Sequence, residues 1–472
     1  MNSVQLAVVG GGPGGYAAAF LAADLGLSVA LVDPEPNPGG VCVYRGCIPS
    51  KALLHVANVL DEARRAKAWG VEFGEPKVDI AKLRDFKDAV VKRLTSGTGQ
   101  LAKFRKVQYL QGRAELVDSH TLRVKLAAGG DQKLSFEHAI LATGSVPAMP
   151  AALKIDDPRV MDSTAALDLP DIPKSLLVVG GGYIGLELGT VYATLGSAVT
   201  VVEMTGGLLP GADRDLVDVL AKRVSQTIKV LLNTRVVQMK AEDKGIRVGL
   251  EGDPGKEAPR EQVFDRVLVA VGRRPNASVP GLDRTRVEVD ERGFIVVDEQ
   301  MRTAEPSIFA IGDVVGEPML AHKASHEGRV AVEVIAGSNV AFAPRAIPAV
   351  VFTDPELAWC GLTEAQAQQE NRKVTIAKFP WGASGRAITL DRTDGMTKLV
   401  LDPETERLLG VGLVGPNAGE LIAEGVLAIE MGANATDLKL SIHPHPTLTE
   451  TMMESAEVFF GQATHVYRPK RG

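Results

Sequence analysis

The stretch Leu6-Ala7-Val8-Val9-Gly10-Gly11-Gly12-Pro13-Gly14-Gly15, with Asp33 closing the apolar run that follows, decides how the rest of the chain is read. It predicts a strand, a glycine-rich turn, a helix of small residues and a second strand ending in an acid. Gly10, Gly12 and Gly15 permit a tight turn and a close approach of backbone to a diphosphate, which then rests on the helix N-terminus. Asp33 lies 18 residues beyond Gly15, where a strand-terminal carboxylate accepts a hydrogen bond from a ribose hydroxyl. A glycine triplet alone could be a plain turn. With strand, helix and acid in register it predicts a dinucleotide site.

The same grammar returns in residues 176–203, with Gly180, Gly182 and Gly185 followed, again after 18 residues, by Glu203. The repeat implies two doubly wound sheets and two dinucleotides. No arginine follows Glu203 in Met204-Thr205-Gly206-Gly207 to meet a 2′-phosphate, and the carboxylate would repel one, so NAD is favoured over NADP. Glu203 could also simply end a strand. Between the repeats, residues 114–117 and 121–125 flank a turn and suggest a hairpin, and residues 139–142 form a strand closing at Thr143-Gly144. Residues 238–266, with Gly245, Gly252, Pro254 and Gly255, suit a β meander. Residues 302–337 hold a turn at Gly312-Asp313 and then a helical pattern. From residue 343 onward no glycine fingerprint occurs, which suggests a separate domain that makes a subunit interface.

Composition bounds the function. A chain of 472 residues exceeds what one core organises. With 45% hydrophobic and 23% charged residues and a formal net charge of -6, it lacks the concentrated basic face of a nucleic-acid protein. No basic leader precedes the first apolar run, and the apolar runs stop at glycine short of the ~20 residues that span a bilayer. A cytoplasmic protein with no membrane partner is expected. Only 3 cysteines argue against a secreted disulfide framework.

Two of them, Cys42 and Cys47, lie in Gly39-Gly40-Val41-Cys42-Val43-Tyr44-Arg45-Gly46-Cys47-Ile48-Pro49-Ser50-Lys51. In an ideal helix residues five apart have Cα atoms roughly 8–9 Å apart, whereas a disulfide wants less than ~7 Å. A bridge here therefore requires a distorted backbone, and Gly46 supplies the freedom. A metal site would need ligands that neither another cysteine pair nor the histidine spacing offers, so no metal is expected. Two unlinked thiols are the remaining alternative. Lys51, four residues past Cys47, shares its face of a regular helix and could sit beside a thiolate. Cys360, beside Trp359, reads as a packing residue.

Together these segments resemble the pyridine nucleotide-disulfide oxidoreductase family, over residues 5 to about 460. Further matching motifs are Ala142-Thr143-Gly144, Val271-Gly272-Arg273-Arg274-Pro275-Asn276, Ile311-Gly312-Asp313 and His443-Pro444-His445-Pro446-Thr447. The resemblance implies an α/β fold: two doubly wound Rossmann-like dinucleotide-binding domains plus an α+β C-terminal dimerisation domain. The expected division is residues 1–146 for FAD, 147–272 for NAD, 273–342 completing the FAD domain and 343–472 for the interface. It implies FAD contacts at Gly10, Gly12, Gly15, Asp33, Lys51, Gly112, Thr143, Gly144, Asp313 and Ala321. NAD contacts are implied at Gly180, Gly182, Gly185, Glu203 and Gly272, and a Glu187 partner for Lys51.

Cys47-Ile48-Pro49-Ser50-Lys51 and Leu320-Ala321-His322-Lys323-Ala324 resemble the branch that oxidises dihydrolipoamide. Tyr44 and Arg45 depart from the commonest residues of the cysteine segment, which bears on redox tuning. The resemblance implies catalysis by Cys42, Cys47, His445 and Glu450, with His445 as base and Glu450 as its orienter. From the residues alone, either His443 or His445 could be a mere surface histidine, and the resemblance selects His445. A homodimer whose sites are built from two chains is implied, as are lipoyl-domain partners in 2-oxoacid dehydrogenase or glycine-cleavage complexes. The competing expectations are another disulfide or quinone reductase on this scaffold, or a non-catalytic flavoprotein component of an assembly.

Overall fold

In the computed structural model, which describes residues 2–252 and 261–467, each glycine fingerprint opens a parallel sheet. The first sheet places Asn2–Val9 between Val29–Asp33 and Asp131–Leu141, with Ile308–Ala310 beyond the latter and the start of Gln108–Asp118 beyond Val29–Asp33, all parallel. Val29–Asp33 is buried along its whole length, as expected of a strand covered on both faces. The helix Pro13–Asp24 covers one face, with Gly12 at its N-cap and Pro13 at a position where no intrahelical donor is lost. The expected hairpin is present, Gln108–Asp118 pairing antiparallel with Thr121–Leu126.

The second sheet is also parallel, in the order Ile228–Leu231, Ala198–Val202, Ser175–Val179, Arg266–Val269, Val160–Met161. The β meander forms a three-stranded antiparallel sheet of Thr234–Glu242, Gly245–Gly252 and Glu261–Phe264. The turn expected at Pro254 and Gly255 lies outside the described residues. Where the chain passes between the two units, Ser145–Pro147 pairs antiparallel with Arg273–Pro275. The Arg273 guanidinium donates to Ser145 Oγ at 2.7 Å and to its carbonyl at 2.8 Å.

The C-terminal part is a five-stranded antiparallel sheet carrying helices that include Ala418–Met431 and Glu450–Phe459. Its core closes on Trp381, wholly buried, which donates to Thr397 Oγ1 at 2.9 Å. Cys360 is buried in the same core, as expected. A buried ammonium ties this part to the second unit: Lys398 Nζ lies 2.9 Å from Asp213, 3.1 Å from Asp215 and 2.6 Å from Glu364. Those three carboxylates have the spacing of a cation site, and the lysine supplies the cation.

Candidate active site

The glycines show what each fingerprint is built to do. A Cβ on Gly10 would collide with the Ala142 carbonyl, and one on Gly180 with the Ala270 carbonyl; both glycines have positive φ, +108° and +109°. Gly15 and Gly185 lie against the carbonyls of Gly10 and Gly180 in the same way. Gly12 and Gly182 differ. Their φ values, -69° and -78°, suit any residue. A Cβ on Gly12 would meet no protein atom closer than 4.0 Å, and on Gly182 none within 4 Å. Neither strain nor packing requires glycine there, so the space beside these helix N-termini fits a ligand that touches backbone. Asp33 Oδ2 accepts the Gly11 N–H at 2.5 Å, and Glu203 Oε2 accepts the Gly181 N–H at 2.7 Å. The two loops are the same device used twice.

The first device opens into a cavity of about 570 Å³. Every residue that the resemblance assigned to FAD lines it, from Gly10, Gly12, Gly15 and Asp33 through Lys51 and Gly112 to Thr143, Gly144, Asp313 and Ala321. Cys42, Cys47 and Glu187 line it too. Asp313 accepts from Ser145 Oγ at 2.5 Å. The Gly312 N–H donates to Glu327, whose other oxygen is ion-paired with buried Lys323 at 2.6 Å. Glu327 is a supporting residue that the sequence motifs did not reveal.

At the other end, Cys42 lies within one helical segment, Gly40–Arg45, and Cys47 begins the next, Cys47–Arg65, with Gly46 between them. A Cβ at Gly46 would press on the Val41 carbonyl at 2.9 Å and the Cys42 Cα at 3.1 Å. The break replaces the regular helix that would hold the sulfurs apart. The two cysteines are thiols here, in side-chain hydrogen-bond contact. That contact, with the Lys51 ammonium, outweighs burial and brings the Cys47 thiol down to about 7, while Cys42 is pushed up. Of the two sulfurs, Cys47 is the one that ionises more readily. Lys51 Nζ lies 2.7 Å from Glu187 Oε2 and over the Phe352 ring. Glu187 also accepts from Ser50 Oγ at 2.9 Å and from the Phe352 N–H at 3.1 Å. The lysine thus stands at a fixed place beside the sulfur.

Residues 4–328 match the family model described as pyridine nucleotide-disulphide oxidoreductase, and residues 347–456 match the dimerisation domain of the same group. The chain belongs to the pyridine nucleotide-disulphide oxidoreductase family. It is 50% identical over 466 residues to a dihydrolipoyl dehydrogenase of Haemophilus influenzae, covering 99% of this chain and 97% of that one. It is 46% identical to the dihydrolipoyl dehydrogenase of Geobacillus stearothermophilus, over 97% of each. Among solved structures, LpdA of Mycobacterium tuberculosis aligns with a TM-score of 0.89 at 27% identity, covering 96% of this chain and 99% of that one. The HOCl-induced flavoprotein disulfide reductase RclA of Escherichia coli aligns at 0.86 and 28%, over 97% and 100%. The protein is thus a flavoprotein oxidoreductase of a family whose cofactors are FAD and NAD.

In this family member the second loop adds a detail that the sequence concealed. Arg214, distant in sequence from Glu203, returns to Gly207. Its guanidinium is committed to the carbonyls of Leu208, Leu209 and Ala212 at 2.7 Å each. Glu203 meanwhile accepts from the Thr205 N–H and hydroxyl at 2.8 and 2.9 Å. Gly272 has open space beside it. None of Gly180, Gly182, Gly185, Glu203 or Gly272 lines the dithiol cavity, whereas Tyr183 and Glu187 of the intervening helix do.

The histidines separate cleanly. His443 is nearly enclosed, with Nε2 2.7 Å from Glu424 and Nδ1 2.9 Å from the Ser441 carbonyl. His445 is 72% exposed, with Nδ1 2.9 Å from Glu450. Burial opposes ionisation of Glu450, but the Thr447 N–H and His445 outweigh it and hold the carboxyl below its usual range. His445 and Glu450 do not line the dithiol cavity of their own chain. No helix among the described residues is long and apolar enough to cross a membrane.

Proposed function

We propose that this protein oxidises protein-bound dihydrolipoamide to lipoamide and reduces NAD, with Cys42 and Cys47 alternating between disulfide and dithiol. The observation that carries the reading is the placement of Cys42 and Cys47, on either side of the Gly46 break, on the cavity wall with the Lys51–Glu187 pair. Gly10, Gly12, Gly15, Asp33, Gly112, Thr143, Gly144, Asp313 and Ala321 would hold FAD, with Lys51 at the flavin end. Gly180, Gly182, Gly185, Glu203 and Gly272 would hold NAD, and Glu187 positions Lys51. When bound, FAD supplies two-electron exchange between a thiolate and a nicotinamide ring.

A dihydrolipoamide thiol gives its proton to His445 and attacks the Cys42 sulfur of the Cys42–Cys47 disulfide. The S–S bond breaks, Cys47 leaves as the thiolate, and a mixed disulfide joins Cys42 to the substrate. The second substrate thiol then attacks the substrate sulfur of that mixed disulfide, closing lipoamide and expelling Cys42, which takes the second thiol's proton, while His445 keeps the first and yields it to solvent. Two electrons now reside in the dithiol. Glu450 holds the imidazole in one orientation and stabilises its charged form.

His445 lies off its own chain's cavity, and the exposed apolar residues Leu427, Met431, Leu440 and Ile442 cluster in sequence just before it. Both features support a homodimer in which the partner subunit's His445 and Glu450 complete each site. The same reading assigns residues 1–146 and 273–342 to FAD, 147–272 to NAD and 343–472 to the interface. It places the enzyme in the cytoplasm, with lipoyl domains of 2-oxoacid dehydrogenase or glycine-cleavage complexes as partners. Steady-state assays with dihydrolipoamide, glutathione and quinones test the substrate, each with NAD and NADP. Dihydrolipoamide with NAD should be most efficient; equal efficiency with NADP, or preference for another substrate, overturns the assignment.

A further inference from the structure

The departure at Arg45 has a structural counterpart at Glu35. The Arg45 guanidinium is ion-paired with the Glu35 carboxylate, and both side chains line the cavity at the end marked by Asp33. Their side chains are 39% and 23% exposed. Glu35 is also fixed through its backbone, its N–H donating to Asp33 Oδ1 at 2.9 Å and its carbonyl accepting from Tyr109 Oη at 2.7 Å. The rest of the segment is held by uncharged groups. Tyr44 Oη accepts the Asn37 N–H at 3.2 Å and donates to the Asn37 carbonyl at 3.1 Å, while Thr98 Oγ1 donates to the Pro38 carbonyl at 2.5 Å.

The segment is therefore already fixed without a salt bridge. What the Arg45–Glu35 pair adds is charge on the cavity surface beside the fingerprint acid, where the ribose and diphosphate of a bound dinucleotide lie. An unpaired Glu35 would repel a diphosphate. The pair neutralises it and uses one of the five guanidinium donors, leaving a cavity-lining cation able to meet ribose or phosphate oxygens. We propose that Arg45 is an FAD-binding residue of this chain, positioned by Glu35, and that the two form a clasp slowing FAD release at its adenosine end. The inference rests on FAD occupying this cavity and is independent of which disulfide is the substrate.

The test follows FAD release from the holoenzyme, without substrate, as the rise in flavin fluorescence on dilution into flavin-free buffer. Arg45→Val and Glu35→Gln should each release FAD about ten- to a hundredfold faster, the range of one charge-assisted hydrogen bond. The double variant should release FAD more slowly than Arg45→Val, because it no longer carries an unpaired Glu35, and Arg45→Lys should retain much of the wild-type rate. Thermal scans should show the flavin-release temperature falling while the far-UV circular dichroism midpoint stays in place. Unchanged release in Arg45→Val, slower release in Glu35→Gln, additive single effects, or a parallel fall of both thermal transitions would each overturn the clasp.

Discussion

Replacing Cys42 by alanine removes the S–H donor that contributes most to lowering Cys47, and so tests which sulfur is the thiolate. Cys47 stands at about 7 against an ordinary 9.0. At pH 7 that is about half thiolate instead of roughly 1%. Without Cys42 the Lys51 ammonium still favours the thiolate, so the midpoint should rise by about one to two pH units. Cys42→Ser keeps a donor and should titrate near the wild-type value. The assay is the pH dependence of iodoacetamide alkylation of the reduced enzyme. Cys360, buried and pushed up to about 12, stays unreactive. Midpoints are compared rather than single rates, because a less acidic thiol is intrinsically the better nucleophile and raises the plateau. A midpoint near 7 in Cys42→Ala would refute the reasoning, since the low value would then owe nothing to Cys42.

Gly12→Ala should fold normally, because its Cβ meets no protein atom closer than 4.0 Å, yet bind FAD at least about tenfold more weakly; flavin content with a circular dichroism melt checks both halves. Lys398→Met leaves buried Asp213 without its ammonium, while Lys378 stays 2.6 Å from Asp215, and should cost about 3 kcal/mol in chemical denaturation. Burial opposes the Lys398 charge, but Asp213, Glu364 and Asp215 outweigh it and raise the ammonium's pKa. The stabilisation is therefore complete below the unfolded value of about 10.4 and is lost as pH rises through the folded one. A wild-type margin over Lys398→Met that persists above that point would contradict the assignment. Mixing Cys47→Ser chains with His445→Ala chains should restore activity in the mixed dimer, which holds one intact site, while each homodimer stays inactive. Confirmed mixed dimers without activity would remove the shared site.

The two dinucleotide units were legible in the sequence because their requirements are local. A glycine where a Cβ would strike the Ala142 or Ala270 carbonyl, and an acid 18 residues on, are dictated by one βαβ unit and survive without knowledge of the rest. The cysteine spacing similarly announced a break at Gly46, since a regular helix holds residues five apart too far for a bridge. Other contacts join residues far apart in the chain, and no periodicity encodes them. Lys51 meets Glu187 across 136 positions, and the Phe352 N–H reaches the same carboxylate across 165. The family resemblance selects His445 over His443, and the different surroundings of the two rings are tertiary. Glu424 and the Ser441 carbonyl occupy both nitrogens of His443, while His445 has Nδ1 on Glu450 and an exposed ring. Arg214 shows the reverse effect, a cation that returns to the second loop and is then used up by three carbonyls. Chain-local geometry and backbone chemistry were written in residue order. Which charges face one another was decided by packing, because burial leaves a charge only those partners the fold brings to it.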